Sequence, residues 1–278
     1  MDRVRKYREF IQKYFAILDK ETQKPVPFIL NIVQRKYYDI LLQTYPNLEG
    51  VREIVLKARQ EGISSFVLAL FAVDFLMIPH SIGICISHRK DSTEILFKKV
   101  KFYIDSYFQK TAEEEGHGNW EELAKQFYKS DNKSQIDGVN GASFYIGTAG
   151  AKVGGRGGHA RNILFSECAF YQDTELITAE EMVTATAQQV PQEKGMVFIE
   201  STANGVDNYY QKEWERAQLF KDGKRVSTYR PQFFGWQEFY TEEWVNLKKG
   251  DFLTEAKWKQ EYPNDPDEAF IASGTPYF

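Results

Sequence analysis

A chain of 278 residues that is 42% hydrophobic and 15% aromatic has material for one large α/β domain with a small appended subdomain. Its 35 basic residues face 39 acidic ones, so no broad field draws in a polyanion and any contact with DNA has to be local. The two cysteines, Cys85 and Cys168, lie outside any CxxC or Cys/His ligand spacing, which excludes a disulfide framework and a zinc site and fits a reducing, cytosolic setting.

The opening segment, Met1 to Tyr14, carries Arg3, Arg5, Lys6, Arg8 and Lys13 among aromatics and lacks the apolar core of a secretory signal. Val4, Tyr7, Phe10, Ile11, Tyr14 and Phe15 recur at helical spacing, which predicts an amphipathic helix docked on the main domain. Past Pro25 and Pro27, the Val-, Ile- and Leu-rich stretch 51–56 predicts a buried strand, followed by a Gly-containing turn and an apolar helix from Ser64. The most apolar stretch, Phe66 to Ile86, approaches membrane-spanning length, but Asp74, Pro79, His80 and Ser81 interrupt it. Helix, turn and buried strand is the better reading, and no membrane contact is expected.

Further buried strands are predicted at 82–87, 144–148, 162–166 and 196–200, with helices at 91–109 and 174–189. Such alternation argues for a largely parallel sheet covered by helices. The run Gly150-Ala-Lys-Val-Gly-Gly-Arg-Gly-Gly158 is too Gly-rich for a helix interior and predicts a loop before the next strand. After residue 228 the pattern shifts to short pieces around Phe233, Phe234, Trp236, Trp244 and Trp258, which divides the chain into a core at 1–228 and a lid or linker subdomain at 229–278.

Five segments can carry chemistry. Lys57-Ala58-Arg59-Gln60-Glu61-Gly62-Ile63-Ser64-Ser65 lies between a predicted strand and helix, where a phosphate-binding loop belongs. Against GxxxxGK[ST], Gly62 and the Mg2+-binding hydroxyl of Ser64 match, whereas Ile63 replaces the Lys and Lys57 the first Gly. Lys57 or Arg59 can supply the missing cation from the loop entrance; a plain strand-to-helix turn is the alternative.

The strand from Asn162 ends in Ser166-Glu167, where Glu167 can polarise an attacking water and Ser166 can reach Mg2+ through its hydroxyl or a water. An acidic residue closing a strand also occurs without any such role. Glu200-Ser201-Thr202-Ala203-Asn204-Gly205 follows another strand and is either a γ-phosphate-sensing turn, with Ser201 to Asn204 as its coupling residues, or an ordinary one. Arg156 has the Gly flanks of an arginine finger, or is a solvated loop residue, and the Gln34 carboxamide suits an adenine edge or open solvent. His80, His88, His117 and His159 share no metal spacing, and Ser64 and Ser201 lack a GxSxG context.

In order and spacing, Gln34, the loop 57–65, the segment 163–170 and the turn 201–205 resemble the ATPase motifs of the large terminase subunits of tailed bacteriophages. The family loop often reads Arg-Gln-x-Gly-Lys-[Ser/Thr], and some members move the Lys to its start, as Lys57 does here. Gly155-Arg156-Gly157 and the stretch Glu261 to Phe270 running into Ala272-Ser-Gly274 extend the resemblance.

The resemblance implies a P-loop NTPase of the RecA-like, ASCE type: a mostly parallel central sheet flanked by helices, plus a small C-terminal lid. It implies an ATP and Mg2+ pocket bounded by Gln34, the loop 57–65 and Glu167, with metal contacts at Ser64 and Ser166. The turn Ser201 to Asn204 would couple hydrolysis to motion, and Arg156 would act in trans within a ring. Implied partners are double-stranded DNA, a homo-oligomeric ring on the portal and the small terminase subunit, in the cytoplasm of the infected host and not in the mature virion. The family's nuclease half is expected to lie outside these residues. Lys98, Lys99, Lys101 and the basic first helix are either DNA contacts or solvated faces. A helicase-like ATPase and a nucleotide-binding ring-assembly module with little turnover are the competing readings.

Overall fold

Residues 5–150 and 159–270 are described by a computed structural model. Helix α1 (Arg5–Tyr14) buries Tyr7 and Ile11, as its spacing predicts, and leads into the short hairpin β1 (Ala16–Leu18) and β2 (Pro25–Pro27). Helix α2 (Ile32–Thr44) starts with a reciprocal capping box between Asn31 and Gln34. Then come β3 (Val51–Lys57), α3 (Ile63–Met77), β4 (Ile82–Ser87) and the long α4 (Lys90–Glu115). Helix α5 (Trp120–Phe127) precedes β5 (Tyr128–Asp131), β6 (Gln135–Gly138) and β7 (Ser143–Thr148). The second half alternates β8 (Asn162–Ser166), α6 (Ala179–Ala187), β9 (Met196–Ser201) and α7 (Tyr209–Gln218). A small hairpin, β10 (Phe220–Lys221) with β11 (Lys224–Arg225), leads to β12 (Arg230–Phe234). Three short helices follow: α8 (Glu242–Lys249), α9 (Glu255–Glu261) and α10 (Pro266–Ala269).

Eight strands form one sheet in the order β12-β3-β9-β8-β4-β7-β6-β5. The six from β12 to β7 are parallel; β6 and β5 add an antiparallel edge. Five of these six, β3, β4, β7, β8 and β9, match the sequence expectation, because strands buried on both faces are rich in apolar residues; β12 was not among the predicted strands. The edge pair escaped it as well, since Tyr-Lys-Ser-Asp in β5 has no such enrichment.

Alternation along β3 sorts its side chains into two cores. Val51 and Val55 join Phe66, Phe71, Phe198 and Phe234 beneath α1 to α5; Ile54 and Leu56 join Met182, Val183, Tyr210 and Trp214 of α6 and α7. Within the apolar α3, Asp74 is fully buried because it is fully used. It takes hydrogen bonds from Arg161 Nε at 2.9 Å, Asn162 Nδ2 at 2.8 Å and the Tyr7 hydroxyl, tying α1, α3 and β8 together. Among the described residues no helix is long and apolar enough to cross a membrane.

Strand β12 lies at the sheet edge beside β3, whereas Trp236, Tyr240, Trp244, Val245, Trp258 and Tyr262 pack round Ala58 in a third cluster. One strand, β9, separates β3 from β8, the inserted-strand arrangement that an ASCE-type P-loop fold requires. The loop after β3, Glu167 after β8 and the turn after β9 therefore emerge together at the carboxyl edge of a parallel sheet, where such folds place their ligands.

Candidate functional site

Past Lys57 the chain turns through Gln60 and Gly62, both in the left-handed region at φ +64° and +82°, and enters α3. Gly62 offers no side-chain cap, so the first amides of a 15-residue helix point out of the fold without an intrahelical partner. Two sets of contacts hold this loop. On one side Gln34 Nε2 donates to the Gly62 carbonyl at 2.8 Å and Asn31 Nδ2 to that of Glu61 at 2.9 Å. On the other, Ala58 N donates to Phe234 O, Arg59 N to Glu261 O and the Tyr240 hydroxyl to Arg59 O, at 2.7 to 2.9 Å.

Three charged groups meet at the strand ends. Lys57 Nζ, buried, lies 3.2 Å from Glu167 Oε1 and 3.1 Å from Glu200 Oε2. Glu200 Oε1 also accepts the hydroxyls of Ser64 at 2.7 Å and Ser166 at 2.6 Å. Burial lowers the Lys57 pKa, but the charges of Glu167 and Glu200 outweigh it and hold the ammonium above the ordinary lysine value. Burial pushes the Glu167 carboxyl up; Lys57 opposes the shift and Glu200 adds to it. Glu167 also sits at φ +54°, a backbone conformation that is costly for a non-Gly residue and recurs where geometry serves a site.

The turn Ser201 to Asn204 joins the same assembly. Ser201 Oγ accepts from Ala169 N at 3.2 Å, and Asn204 Nδ2 donates to Ala169 O at 3.1 Å, while Thr202 and Ala203 are buried. Glu61, inside the loop, is completely buried, and among the described residues neither carboxylate oxygen has a hydrogen-bond partner. Burial, against the pull of Lys57, raises its pKa to about 9.

Several residues that the sequence singled out are placed elsewhere or otherwise engaged. The Arg59 guanidinium is turned to Glu261 at 3.2 Å and is half exposed, apart from the Lys57 cluster. Gln34 uses its amide oxygen on Asn31 N, at 3.0 Å, which caps α2, and its nitrogen on Gly62, which braces the loop. Arg156 lies outside the described residues. Lys101 is paired with Asp131 at 2.6 Å.

Two residues at the site were given no role of their own by the sequence. Glu200 read as the opening of the polar turn after a strand, and Lys99 as one member of a basic run. Lys99 Nζ donates to Ser65 Oγ at 2.9 Å, and among the described residues no carboxylate pairs with it. Burial lowers its pKa, with Glu200 opposing and Lys57 reinforcing the shift. It sits at the inner end of a cleft of about 570 Å³ lined by Phe28, Gln34, Gly62, Ser65 and Tyr103, between the β1–β2 hairpin and α4. Ile95, Lys98, Lys99 and Phe102 line it at helical spacing, a pattern that becomes informative only once the opposite wall is known.

No protein-family model matches the chain, and no curated protein matches its sequence. Among solved structures, the ATPase domain of the large terminase of Thermus phage P74-26 superposes with a TM-score of 0.56 at 15% identity, over 79% of this chain and 88% of that one. An arginine-to-alanine mutant of the same domain gives 0.51 at 16% identity, over 76% and 87%. The chain thus has the fold of a large terminase ATPase domain, a P-loop fold built on a mostly parallel sheet.

Proposed function

We propose that this chain is a Mg2+-dependent ATPase that powers the packaging of double-stranded phage DNA. The observation that carries the reading is Lys57, arriving from the loop entrance and held between Glu167 and Glu200 beside the uncapped start of α3. That is a cation, an acid and a set of amides at the one place where a triphosphate can be gripped.

The residues fit the nucleotide and its metal. The α3 amides suit phosphate oxygens, and Ser64, Glu200 and Glu167 offer hard oxygen donors. Among the described residues no three His, Cys, Asp or Glu side chains form a closed metal cage, as suits an ion held chiefly by phosphates and water. When bound, Mg2+ neutralises charge on the β- and γ-phosphates.

In this reading Lys57 takes hold of the γ-phosphate, which competes with the carboxylates for its ammonium and frees Glu167. The released carboxylate, with its pKa already raised by burial, orients the attacking water and accepts its proton. The base fills the apolar cleft beside Phe28 and Tyr103, and Gln34 fixes the loop and presents its remaining N–H to the base edge. The turn Ser201 to Asn204 senses the change through Ala169, and Tyr240 and Glu261 pass loop movement to the cluster round Trp236, Trp244 and Trp258, acting as a lid. Arg156 serves as the finger in a neighbouring subunit. The working assembly is a homo-oligomeric ring on the portal, supplied with DNA by the small terminase subunit in the host cytoplasm.

Steady-state phosphate release with Mg2+ and ATP over a range of protein concentrations tests this. Turnover that rises with concentration and is lost in Glu167→Gln is expected; a mutant as active as wild type overturns the assignment. Ile63 and Ser166, which remove the usual Lys and Asp, favour a second reading as a ring-assembly module. ATP-dependent oligomerisation without phosphate release would select it.

A further inference from the structure

We infer that Glu200 is the carboxylate on the magnesium side of the site, doing from β9 the work of the acidic residue that position 166 of β8 lacks. This rests on the nucleotide reading of the loop. Ser166 and Glu200 are register partners on adjacent parallel strands, so their side chains leave the sheet at the same level. Strand β9 is also paired with the loop strand β3, which puts a side chain at 200 one strand nearer Ser64 than one at 166.

The contacts follow from that placement. One oxygen of Glu200 receives the hydroxyls of both Ser64 and Ser166, and the other faces Lys57. Ser64 is the residue whose hydroxyl a P-loop offers to Mg2+. A carboxylate bonded to that hydroxyl stands behind the metal position, where it can hold an ordered water of the ion or the hydroxyl itself.

Ser166 and Glu200 also account for each other. Glu200 is completely buried, and a second carboxylate at 166 would place like charge at hydrogen-bond distance from it, which drives one of the two to protonate. A hydroxyl at 166 donates to Glu200 instead and adds no second charge. Positions 166 and 200 together thus supply one acid, with the Ser of β8 as its hydrogen-bond partner.

The test uses Mn2+ as the probe, read by electron paramagnetic resonance on the whole chain with ATP present, alongside metal-free ATP binding. Wild type is expected to hold Mn2+ in its nucleotide complex. Glu200→Gln should weaken Mn2+ by about tenfold or more while retaining metal-free ATP, as loss of a metal-orienting partner does. The exchange variant Ser166→Asp with Glu200→Ser should recover Mn2+ binding, which a merely structural role for Glu200 would not allow. Wild-type Mn2+ affinity in Glu200→Gln overturns the proposal; if that variant does not fold, an exchange variant that folds and binds ATP without Mn2+ overturns it equally. A wild type that binds no ATP at all would instead overturn the nucleotide reading beneath it.

Discussion

Lys57 and Glu167 lie on strands that do not touch, yet their charged ends are 3.2 Å apart. With β9 between them, the two backbones are separated by two strand spacings, roughly 9.6 Å. A lysine reaching one way and a glutamate the other close that gap over the end of β9, where Glu200 completes the ion cluster. The cluster is therefore a product of strand order, and each member sets the state of the others.

Glu167→Gln keeps the size of the side chain and removes the base. ATP binding should survive while phosphate release falls by about 10² to 10⁴, the usual worth of a general base. Lys57→Ala should cost both binding and turnover. It should also lower stability by about 3–5 kcal/mol, because the buried Glu200 and the part-exposed Glu167 lose their cation. Denaturant midpoints beside a phosphate-release assay separate these effects; a Lys57→Ala protein as stable as wild type would contradict the ion-cluster account.

Gly62→Ala should damage the loop in two ways. The left-handed φ of +82° costs an L-residue about 1–2 kcal/mol, and the new Cβ would lie 2.6 Å from Gln34 Nε2, displacing its bond to the Gly62 carbonyl. A lowered melting temperature together with weaker nucleotide binding is expected. Unchanged affinity would show that Gln34 does not shape the loop for its ligand.

Lys99→Met should weaken ADP and ATP alike, by about tenfold or more, since a hydrogen bond to a charged group is worth about 1.5–3 kcal/mol. The reason is its place: it is bonded to Ser65 and lines the cleft beside the loop, and no ion pair ties it to Glu167 or Glu200 among the described residues. Titration calorimetry with both nucleotides decides it, and a loss confined to ATP would move Lys99 to the γ-phosphate.

Glu53 is fully buried among Tyr37, Tyr45 and Gln232, and burial raises its pKa from 4.5 to about 7, with the Tyr45 bond opposing. The folded state holds this proton more tightly than the unfolded chain. The resulting stability is full below pH 4.5 and disappears as pH rises through about 7. At about 1.4 kcal/mol per pKa unit the loss amounts to roughly 3 kcal/mol. Glu53→Gln should flatten the stability profile between those limits and exceed wild type at pH 8, as read by urea unfolding.

The sequence by itself determined the parallel sheet and the order of its parts. Stretches rich in Val, Ile, Leu and Phe at 51–56, 82–87, 162–166 and 196–200, a Gly turn after the first, and helical spacing between them are local signals, legible within about ten residues. Tertiary structure alone decided what stands at the carboxyl edge. The bonds Lys57–Glu167, Ser64–Glu200 and Lys99–Ser65 span 110, 136 and 34 residues, and no local pattern encodes which strand will neighbour which. Glu200 looked like a strand end, Lys99 like a solvated charge and Gln34 like a free carboxamide until packing set β9 between β3 and β8 and laid α4 and α2 against the loop. Strand order comes from burying both faces of the sheet at once, a property of the whole chain, and the site inherits its geometry from that.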